Sequence, residues 1–544
     1  MIKNLKEMLY KSAEIYGDKN AYKVRNIENN YKLYTYSDVK NIVDALGSKL
    51  ITMGLKNKRI AIIGENRFEW EMSYLAIACG VGIVVPLDKS LPFNELCTVI
   101  KRSEVEAIFF SKKYTEGLLK IRELDNALKY LICMDQVENN EILLFEDLIK
   151  EGKKLLSDSD TDYISAEIDS NKMGMMLFTS GTTSQSKIVA LSHENICSNL
   201  IVLKERLKTS SEDVFLSVLP IHHVFECTVG FLLALYSGAE TVFSDGVRHI
   251  VENLKEHKAT FMACVPGIYE KIFKIINRCL EKTNKTETAM EMLGGNIRLL
   301  ISGAAALDKS VEEGYRKLGF NLVQGYGLTE TSPVISMGGP DVHRIGSVGT
   351  KLPNLEIDIL APNESGIGEL IVKGPSVMIE YFENQEATDE VLNDGWFKTG
   401  DLARIDEDGY IFICGRKKNV IVLKNGKNIY PEEMEILINK IDGVEESMIF
   451  GQQKSEDEND IRINAVVVIN KTFFEEEYFK NEILEVDEFW VKSKEIIFEQ
   501  IKEINQIMPK YKAIRDVILT ENPLIKTTTN KVKRQANLDA IRCI

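Results

Sequence analysis

The chain has 544 residues, of which 44% are hydrophobic and 27% charged, a composition typical of folded multidomain proteins that excludes extensive disorder. Its 82 acidic and 67 basic residues give a net charge of −15, which excludes general nucleic-acid binding and confines any phosphate site to a local cluster of cations. The nine cysteines form no CxxC pair and the longest apolar stretch is well short of the ~20 residues of a membrane span, so we expect no disulfide framework, no transmembrane helix and a cytoplasmic location.

The first 90 residues alternate between helix and strand patterns. Thr35 and Asp38 have capping-box spacing, and apolar residues recur after them at helical intervals. β-branched runs that end at glycine or proline indicate buried strands. The predicted elements are, in order, a helix at 35–54, a strand at 59–66, a helix at 68–80 and a strand at 81–88. This alternation predicts an α/β fold with mostly parallel strands.

The alternation continues through the middle of the chain, where further strands end at turns. Ligands of open α/β sheets bind beyond the carboxyl ends of the strands, so these turns are where we expect the chemistry. After residue 345 the pattern changes to short strands between Gly, Pro and Asp turns, which predicts a small β-rich unit. The strands before that change are predicted at 240–245, 259–265, 297–303 and 321–327.

A domain boundary is predicted near Lys418, which divides the chain into an N-terminal domain, 1–417, and a C-terminal domain, 418–544. The second part has the pattern of a small α+β domain. Its predicted elements are a hairpin at 420–431, a helix at 432–441, strands at 447–452 and 463–470, and a long polar helical region from about Glu475 to Ile507.

The first candidate site is the segment FTSGTTSQSK, residues 178–187, which places hydroxyls, a glycine and a lysine in one turn. Backbone N–H groups, hydroxyls and a lysine are suited to surround phosphate oxygens. It is not a Walker A loop, because Ser186 and Ile188 stand where that motif needs Gly and Ser or Thr. Taken alone, the segment is also compatible with an exposed polar turn.

The second candidate site is QGYGLTETSP, residues 324–333, at the end of the predicted strand NLV. Tyr326 is suited to stack on a purine and Thr329 to hold a phosphate. Glu330 is suited to bind Mg²⁺, which prefers few carboxylates together with phosphate oxygens. The alternative for this segment is a structural turn around a core tyrosine.

Two further segments carry charges in suggestive positions. Asp401 and Arg416 flank a predicted strand hairpin, and a carboxylate is able to accept both hydroxyls of a ribose. The alternative is that Asp401 is simply a turn residue after Gly400. Near the carboxyl end, residues 524–535 interleave four cations with three threonines, a pattern that by itself favours a solvated charged segment.

In this order, the four segments resemble the motifs of the adenylate-forming family, which includes acyl-CoA synthetases, adenylation domains of peptide synthetases and beetle luciferases. The segments LPIHHVFE (219–226), VPGIYEKI (265–272) and ISGAAALD (301–308) are most similar to medium- and long-chain fatty acyl-CoA synthetases. The resemblance implies a large N-terminal domain of parallel-rich sheets with a small β-rich unit, and a smaller mobile C-terminal domain. The chain departs from the family pattern at Ser184, Ser186, Ile188, Ile525 and Asn530.

The resemblance also implies a reaction that uses ATP, Mg²⁺ and CoA. A fatty carboxylate attacks ATP to give acyl-AMP and pyrophosphate, and the CoA thiol then displaces AMP. The implied catalytic residues are Lys531, Thr329, Glu330 and Lys187, and Lys418 is the implied hinge of a domain rotation. Nucleotide binding is implied for Thr179, Ser180, Gly181, Thr182, Thr183, Ser302, Gly303, Ala304, Gln324, Gly325, Tyr326, Gly327, Asp401 and Arg416; metal binding for Glu330 and Thr183; acyl or thiol binding for His222, His223, Gly303 and Gly426.

Two other functions remain open from the sequence. An acyl carrier protein would replace CoA as acceptor without any change in the activation chemistry. A non-catalytic acyl or nucleotide sensor would keep the fold while its phosphate loop diverges. The apolar run at 229–239 is compatible both with an acyl tunnel and with ordinary helix packing. A fatty substrate also leaves peripheral membrane contact open, although no basic amphipathic helix indicates it.

Overall fold

The computed structural model describes residues 2–26, 28–179, 186–283, 287–424, 427–453, 461–480, 484–526 and 532–542. The chain divides into two compact units. The first comprises Met1–Asp358, Ile371–Lys398 and Asp406–Ile411, and the second comprises Ile359–Leu370, Thr399–Ile405 and Phe412–Ile544. The domain boundary at residue 418 stays a prediction.

The strands within the described ranges are numbered in chain order. They are β1 (Asn20–Arg25), β2 (Tyr31–Thr35), β3 (Arg59–Ile63), β4 (Ile83–Leu87), β5 (Ala107–Phe110), β6 (Tyr130–Cys133), β7 (Leu143–Leu144), β8 (Met173–Phe178), β9 (Ile188–Ser192), β10 (Val214–Ser217), β11 (Glu240–Phe243), β12 (Phe261–Cys264), β13 (Leu299–Ser302), β14 (Leu322–Gly327), β15 (Val334–Met337), β16 (Thr350–Lys351), β17 (Glu356–Leu360), β18 (Gly368–Lys373), β19 (Glu380–Tyr381), β20 (Leu392–Asn393), β21 (Trp396–Ile405), β22 (Ile411–Arg416), β23 (Ile421–Val422), β24 (Asn428–Ile429), β25 (Val444–Gln453), β26 (Ile461–Ile469) and β27 (Asp516–Thr520).

The α-helices of the same ranges are numbered in the same way. They are α1 (Leu5–Tyr16), α2 (Tyr36–Thr52), α3 (Phe68–Ala76), α4 (Phe93–Ser103), α5 (Thr115–Leu124), α6 (Phe145–Ser157), α7 (His193–Leu207), α8 (Leu233–Ser237), α9 (Ile250–His257), α10 (Pro266–Thr283), α11 (Glu287–Met292), α12 (Lys309–Lys317), α13 (Gln385–Val391), α14 (Pro431–Ile438), α15 (Lys471–Glu477), α16 (Val486–Ile507) and α17 (Arg534–Arg542).

The first unit contains two sheets whose central strands are parallel. Their strand orders are β16-β15-β14-β13-β12-β10-β11-β1-β2 and β19-β9-β8-β4-β3-β5-β6-β7. Antiparallel pairing is confined to β2, β15 and β16 in the first sheet and to β9 and β19 in the second. Helices connect the parallel strands and bury their apolar side chains, as parallel sheets require. The predicted α/β fold with mostly parallel strands is confirmed.

Helix α2 illustrates how the local sequence forms these elements. The Thr35 hydroxyl accepts a hydrogen bond from the N–H of Asp38, and the Asp38 carboxylate accepts one from the N–H of Thr35. This reciprocal cap satisfies two N–H groups that the helix leaves unpaired. The apolar residues Val39, Leu46 and Leu50 are fully buried, so the predicted helix forms with its apolar face toward the core.

Most strands after residue 345 are short, as predicted, but β21 and β25 have 10 residues each and β26 has 9. One small sheet has the order β17-β18-β21-β20, with β22 paired to β21. Farther along, β23 and β24 form the predicted hairpin, and β25, β26 and β27 form a three-stranded sheet. Helices α14 and α16 pack on that sheet through an apolar cluster that includes Met434, Val467 and Ile497.

The prediction of one helical region from about Glu475 to Ile507 is wrong at its beginning. Helix α15 begins earlier and is capped by the Asn470 side chain, which accepts a hydrogen bond from the N–H of Phe473. It ends at Glu477, and α16 begins only at Val486. Between them Phe479 is buried against Phe489, with ring centroids 5.5 Å apart. The helical periodicity of the sequence does not predict this tertiary contact.

Candidate active site

Several of the predicted segments lie at one edge of the first sheet. The strands β14, β13, β12 and β10 are neighbours and parallel. The segment 219–226 follows β10, 265–272 follows β12 and 301–308 begins at the end of β13. Residues 324–327 are the last residues of β14, in agreement with the strand predicted at 321–327, and Gly325, Tyr326 and Gly327 pair with β15. The carboxyl ends of these strands therefore gather the segments as expected.

The predicted phosphate loop connects two antiparallel strands, β8 and β9. The N–H of Thr179 donates to the carbonyl oxygen of Lys187 at 2.9 Å, so the loop is closed at its base. Arg102 of α4 donates from Nη1 to the carbonyl oxygen of Ser186 at 2.7 Å. Ile188, where the family pattern differs, is buried as the first residue of β9. The predicted residues Ser180, Gly181, Thr182 and Thr183, together with Ser184, lie outside the described residues.

Thr329 and Glu330 lie on a tight turn between β14 and β15. The N–H of Leu328 donates to the carbonyl oxygen of Pro333 at 3.0 Å, which closes the turn. Gly327 is required at its start, because a Cβ atom there would lie 1.7 Å from the Pro333 carbonyl oxygen. Both Thr329 and Glu330 are partly exposed, so backbone contacts fix the turn while these two side chains remain accessible.

Tyr381 of β19 contacts both the predicted phosphate lysine and the predicted metal carboxylate. Its hydroxyl donates to Oε1 of Glu330 at 2.7 Å, and the Nζ of Lys187 lies 4.3 Å from the centre of its ring. Lys187 and Glu330 therefore contact the same residue, although they are far apart in the chain. The sequence reasoning missed Tyr381, because no local pattern marks a tyrosine that acts 51 residues away from Glu330.

The end of β13 lies against the segment that follows β10. A Cβ atom on Gly303 would lie 2.8 Å from the ring of Phe225, so the backbone of residue 303 approaches that ring closely. Ala304 adopts a left-handed conformation with φ of 67°, which is uncommon for a residue with a side chain. The hydroxyl of Ser302 is buried and makes no hydrogen bond in the described structure.

The side chain of Gln324 forms hydrogen bonds in the interior of the protein. Its Nε2 donates to the Glu312 carboxylate at 2.8 Å, and its Oε1 accepts from the N–H of Leu307 at 3.3 Å. Glu312 is fully buried and also contacts His343 at 2.9 Å and the N–H of Gly346 at 2.9 Å. Gln324 therefore connects the loop after β13 to β14. Beside it, Gly325 packs against Met337, and Tyr326 is partly exposed.

His222 and His223 follow β10 in the predicted pocket segment. His222 is mostly buried, with its Nε2 3.6 Å from the carboxylate of Asp88. Burial lowers the pKa of His222 below its ordinary 6.5, and the charge of Asp88 only partly opposes this effect. The imidazole is therefore neutral at neutral pH. Its Nδ1 makes no hydrogen bond in the described structure, whereas Nδ1 of His223 accepts from the N–H of Phe225 at 3.4 Å.

The turn that carries these histidines is fixed by one buried and one partly buried side chain. Glu226 accepts a hydrogen bond from the Ser217 hydroxyl at 2.6 Å, and burial raises the pKa of its carboxyl to about 8. Asn66 donates to the carbonyl oxygen of Leu219 at 2.7 Å and accepts from the N–H of Ile221 at 3.1 Å. The sequence reasoning assigned no role to Glu226 or Asn66, because their partners come from other elements.

The second unit contains the predicted ribose residues. Asp401 lies within β21 and is 4% exposed, and its carboxylate pairs with Nε of Arg416 at 2.8 Å. Both residues therefore lie in the predicted hairpin instead of flanking it, and Asp401 is a strand residue, not a turn residue. Glu369 forms a second pair with Lys417 at 2.7 Å. Lys418 lies in the short helical turn that follows, and Gly426 and Lys531 lie outside the described residues.

Residues 9–382 match the protein family described as AMP-binding enzyme. The chain belongs to this family. This AMP-binding enzyme is 29% identical over 485 residues to long chain acyl-CoA synthetase 3 of Arabidopsis thaliana, a match that covers 77% of this chain and 72% of that protein.

Two solved structures establish the fold of this AMP-binding enzyme. The anthranilate CoA ligase AuaEII, solved with anthranoyl-AMP, has a TM-score of 0.81 at 18% identity, over 99% of this chain and 97% of that one. The o-succinylbenzoate CoA synthetase of Bacillus subtilis, solved with ATP and magnesium ion, has a TM-score of 0.76 at 21% identity, over 98% and 99% of the two chains. The predicted adenylate-forming fold is confirmed.

The donor chemistry at Glu330 of this AMP-binding enzyme suits a magnesium ion that arrives with ATP. In the described ranges, no three His, Cys, Asp or Glu side chains converge as a metal cluster. Mg²⁺ bound with a nucleotide needs only one or two carboxylates, because phosphate oxygens and waters complete its shell. Glu330 supplies one carboxylate on a turn whose backbone is fixed. The Glu330 carboxylate therefore fits a magnesium ion that is bound together with a nucleotide.

None of the helices in the described part of the chain combines the length and the apolar character needed to cross a membrane. The eight cysteines of the described ranges are all free thiols. The apolar run at 229–239 is helical through Ser237, and its large side chains Phe231, Leu232 and Leu233 are fully buried.

Proposed function

We propose that this AMP-binding enzyme activates a fatty acid with ATP and transfers the acyl group to CoA. The observation that carries the proposal is that Lys187 and Glu330 both contact Tyr381, which brings a cation for phosphate near a carboxylate for magnesium. The similarity to a long chain acyl-CoA synthetase supports an acyl substrate. Relatives of the fold that hold anthranoyl-AMP or ATP with magnesium support an adenylate route.

In the first half-reaction an oxygen of the fatty carboxylate attacks the α-phosphorus of ATP. The bond from that phosphorus to the bridging oxygen breaks, and pyrophosphate leaves with the electron pair. Negative charge develops on the phosphate oxygens, and groups fixed in advance lower this barrier. Lys187 and the loop around Thr183 bind the β- and γ-phosphates, and Thr329 and Lys531 bind at the α-phosphate. Magnesium, when bound at Glu330 and Thr183, neutralises charge on the transferring phosphates.

The nucleoside is held by groups at the ends of the strands and in the β21–β22 hairpin. Tyr326 packs on adenine, and the carboxylate of Asp401 accepts the ribose hydroxyls. Arg416 fixes the orientation of that carboxylate through the 2.8 Å contact. The remaining nucleotide-binding positions are Thr179, Ser180, Gly181, Thr182, Ser302, Gly303, Ala304, Gln324, Gly325 and Gly327.

In the second half-reaction the CoA thiol loses its proton to water and its sulfur attacks the acyl carbonyl of acyl-AMP; AMP leaves with the electron pair of the broken carbon–oxygen bond. The mixed anhydride is already reactive, so no protein nucleophile is needed. His222, His223 and Gly303 contact the acyl group, and Gly426 faces the thiol. Lys418 serves as a hinge between domains 1–417 and 418–544. We place the enzyme in the cytoplasm, where free thiols such as these persist.

The test measures pyrophosphate and acyl-CoA together, with ATP, Mg²⁺, CoA and saturated acids from acetate to stearate. Both products should rise together, with an optimum among medium or long chains. Lys531→Ala should lower pyrophosphate formation by roughly 100-fold or more, because it removes a charge at the transferring phosphate. Lys533→Ala, an exposed lysine of the same segment, is the matched control and should change the rate by less than about twofold.

The other outcomes identify the alternatives. If pyrophosphate formed without acyl-CoA, the acceptor of the acyl group would be an acyl carrier protein and not CoA. If no acid gave either product, the protein would be a non-catalytic sensor. A Lys531→Ala variant with unchanged rates would also favour the sensor.

A further inference from the structure

A single short segment, residues 378–382, connects the two parts of the proposed phosphate and metal site. On one side its backbone pairs with β9, directly after Lys187: the N–H of Ile379 donates to the carbonyl oxygen of Ala190 at 3.0 Å, and the N–H of Phe382 to that of Ile188 at 2.8 Å. On the other side the N–H of Met378 donates to the carbonyl oxygen of Glu330 at 2.8 Å. The backbone of this segment therefore forms hydrogen bonds with both motifs.

Tyr381 repeats this connection with its side chain. Its hydroxyl donates to Oε1 of Glu330 at 2.7 Å, while its ring lies under the ammonium group of Lys187 at 4.3 Å. Tyr381 is 5% exposed, so its position is set by packing. A hydrogen bond to one carboxylate oxygen restricts rotation of the carboxylate, and a ring face attracts a cation that lies above it.

Such fixed orientation matters for the chemistry proposed at this site. Magnesium demands a near-ideal octahedral arrangement of oxygens, so a carboxylate that rotates freely is a poorer ligand than one held in place. Outer hydrogen-bond partners of metal ligands commonly change metal affinity by about 10- to 100-fold. The lysine that binds the β- and γ-phosphates must likewise be held within reach of them.

We infer that Tyr381 is a positioning residue that fixes Glu330 for magnesium and Lys187 for the phosphates of the same nucleotide. The inference rests on the proposed function, since it assumes that this site binds ATP with magnesium. Tyr381 itself touches neither the reacting atoms nor the metal; it acts through its two neighbours.

The experiment compares wild-type protein with Tyr381→Phe, which removes the hydroxyl and keeps the ring. Calorimetry measures binding of a non-hydrolysable ATP analogue with Mg²⁺, and binding of AMP without metal. The dissociation constant of the magnesium complex should rise about tenfold. Binding of AMP should change by less than about twofold, because Tyr381 contacts groups for the metal and for the outer phosphates. A merely structural tyrosine would weaken both ligands together or neither.

Tyr130→Phe is the matched control. Its hydroxyl also donates a hydrogen bond, to the carbonyl oxygen of Met53 at 3.1 Å, and it lies at the amino end of β6, away from the strand ends that carry the motifs. It should leave both dissociation constants unchanged. The double variant with Glu330→Gln supplies a second readout: if Tyr381 acts through Glu330, Tyr381→Phe should add nothing in that background.

An unchanged dissociation constant of the magnesium complex in Tyr381→Phe overturns the inference, and so does a full additional loss in the Glu330→Gln background. Thermal unfolding of each variant separates a folding defect from a binding defect. Wild-type protein that binds the magnesium complex but forms no pyrophosphate with any acid would refute the proposed function alone, because the binding measurements require no acyl substrate.

Discussion

Replacing Glu226 by glutamine should make the protein more stable at alkaline pH, although the residue is fully enclosed by the core. Glu226 is 1% exposed, and only its Oε1 has a side-chain partner, the Ser217 hydroxyl at 2.6 Å; Oε2 makes no hydrogen bond in the described structure. Burial raises the pKa of the carboxyl to about 8, against an ordinary value of 4.5. Glutamine has almost the same shape and cannot ionise.

The direction of the pH dependence follows from the protonation state of Glu226 in the folded and the unfolded protein. Between pH 4.5 and about 8, the unfolded chain has lost the proton of Glu226 while the folded protein retains it. The unfolded state therefore binds fewer protons, and the free energy of unfolding falls as the pH rises through this window. At about 1.36 kcal/mol per pH unit, the loss between pH 5 and 8 is about 4 kcal/mol. The first unit, which contains Glu226, has about 390 residues, so this loss corresponds to a decrease in its Tm of roughly 5 °C.

The assay is thermal and urea unfolding of wild type and Glu226→Gln from pH 5 to 9. The neighbouring carboxyl of Glu71, whose pKa is also raised by burial, should leave some pH dependence in the variant. The difference between the two proteins should grow steadily from pH 5 to 8 in favour of the glutamine variant. Glu205→Gln, at an exposed position of α7, controls for loss of one surface charge. Parallel stability curves for wild type and Glu226→Gln would refute the reasoning.

Three further predictions concern single contacts. Gly327→Ala should abolish most pyrophosphate formation, because its Cβ would meet a backbone oxygen at 1.7 Å, whereas Gly267→Ala, with open space around it, should keep the wild-type rate. Lys6→Met should lower the free energy of unfolding in urea by about 2 kcal/mol or more, because three carbonyl oxygens lose their ammonium donor. The exposed Lys11→Met should change it by less than about 1 kcal/mol. Asp401→Asn should raise the KM for ATP about tenfold in steady-state assays, because it removes the carboxylate proposed to accept the ribose hydroxyls. The KM for the fatty acid should not change.

The sequence identified the elements whose formation depends on neighbouring residues. The capping box at Thr35 predicted the start of α2, and the β-branched runs predicted β3 and β4. The prediction failed where a distant residue decides the outcome. The helical pattern continued through Phe479, whose burial against Phe489 is part of the break between α15 and α16.

The candidate site divides in the same way. The motifs that contain Lys187, Glu330 and Asp401 were readable in the sequence, because each is a short run of residues suited to phosphate, magnesium or ribose. The roles of Lys531 and Gly426 rest on the resemblance alone, since those residues lie outside the described part of the chain.

The sequence by itself determined the family, the order of the elements and the residue types available for the chemistry, because these are properties of short segments. Only the tertiary structure decided that Tyr381 contacts both Lys187 and Glu330, and that Glu226 is buried with a raised pKa. Such contacts join residues from strands that are distant in the chain, and the pairing of those strands is fixed by burial of the whole core.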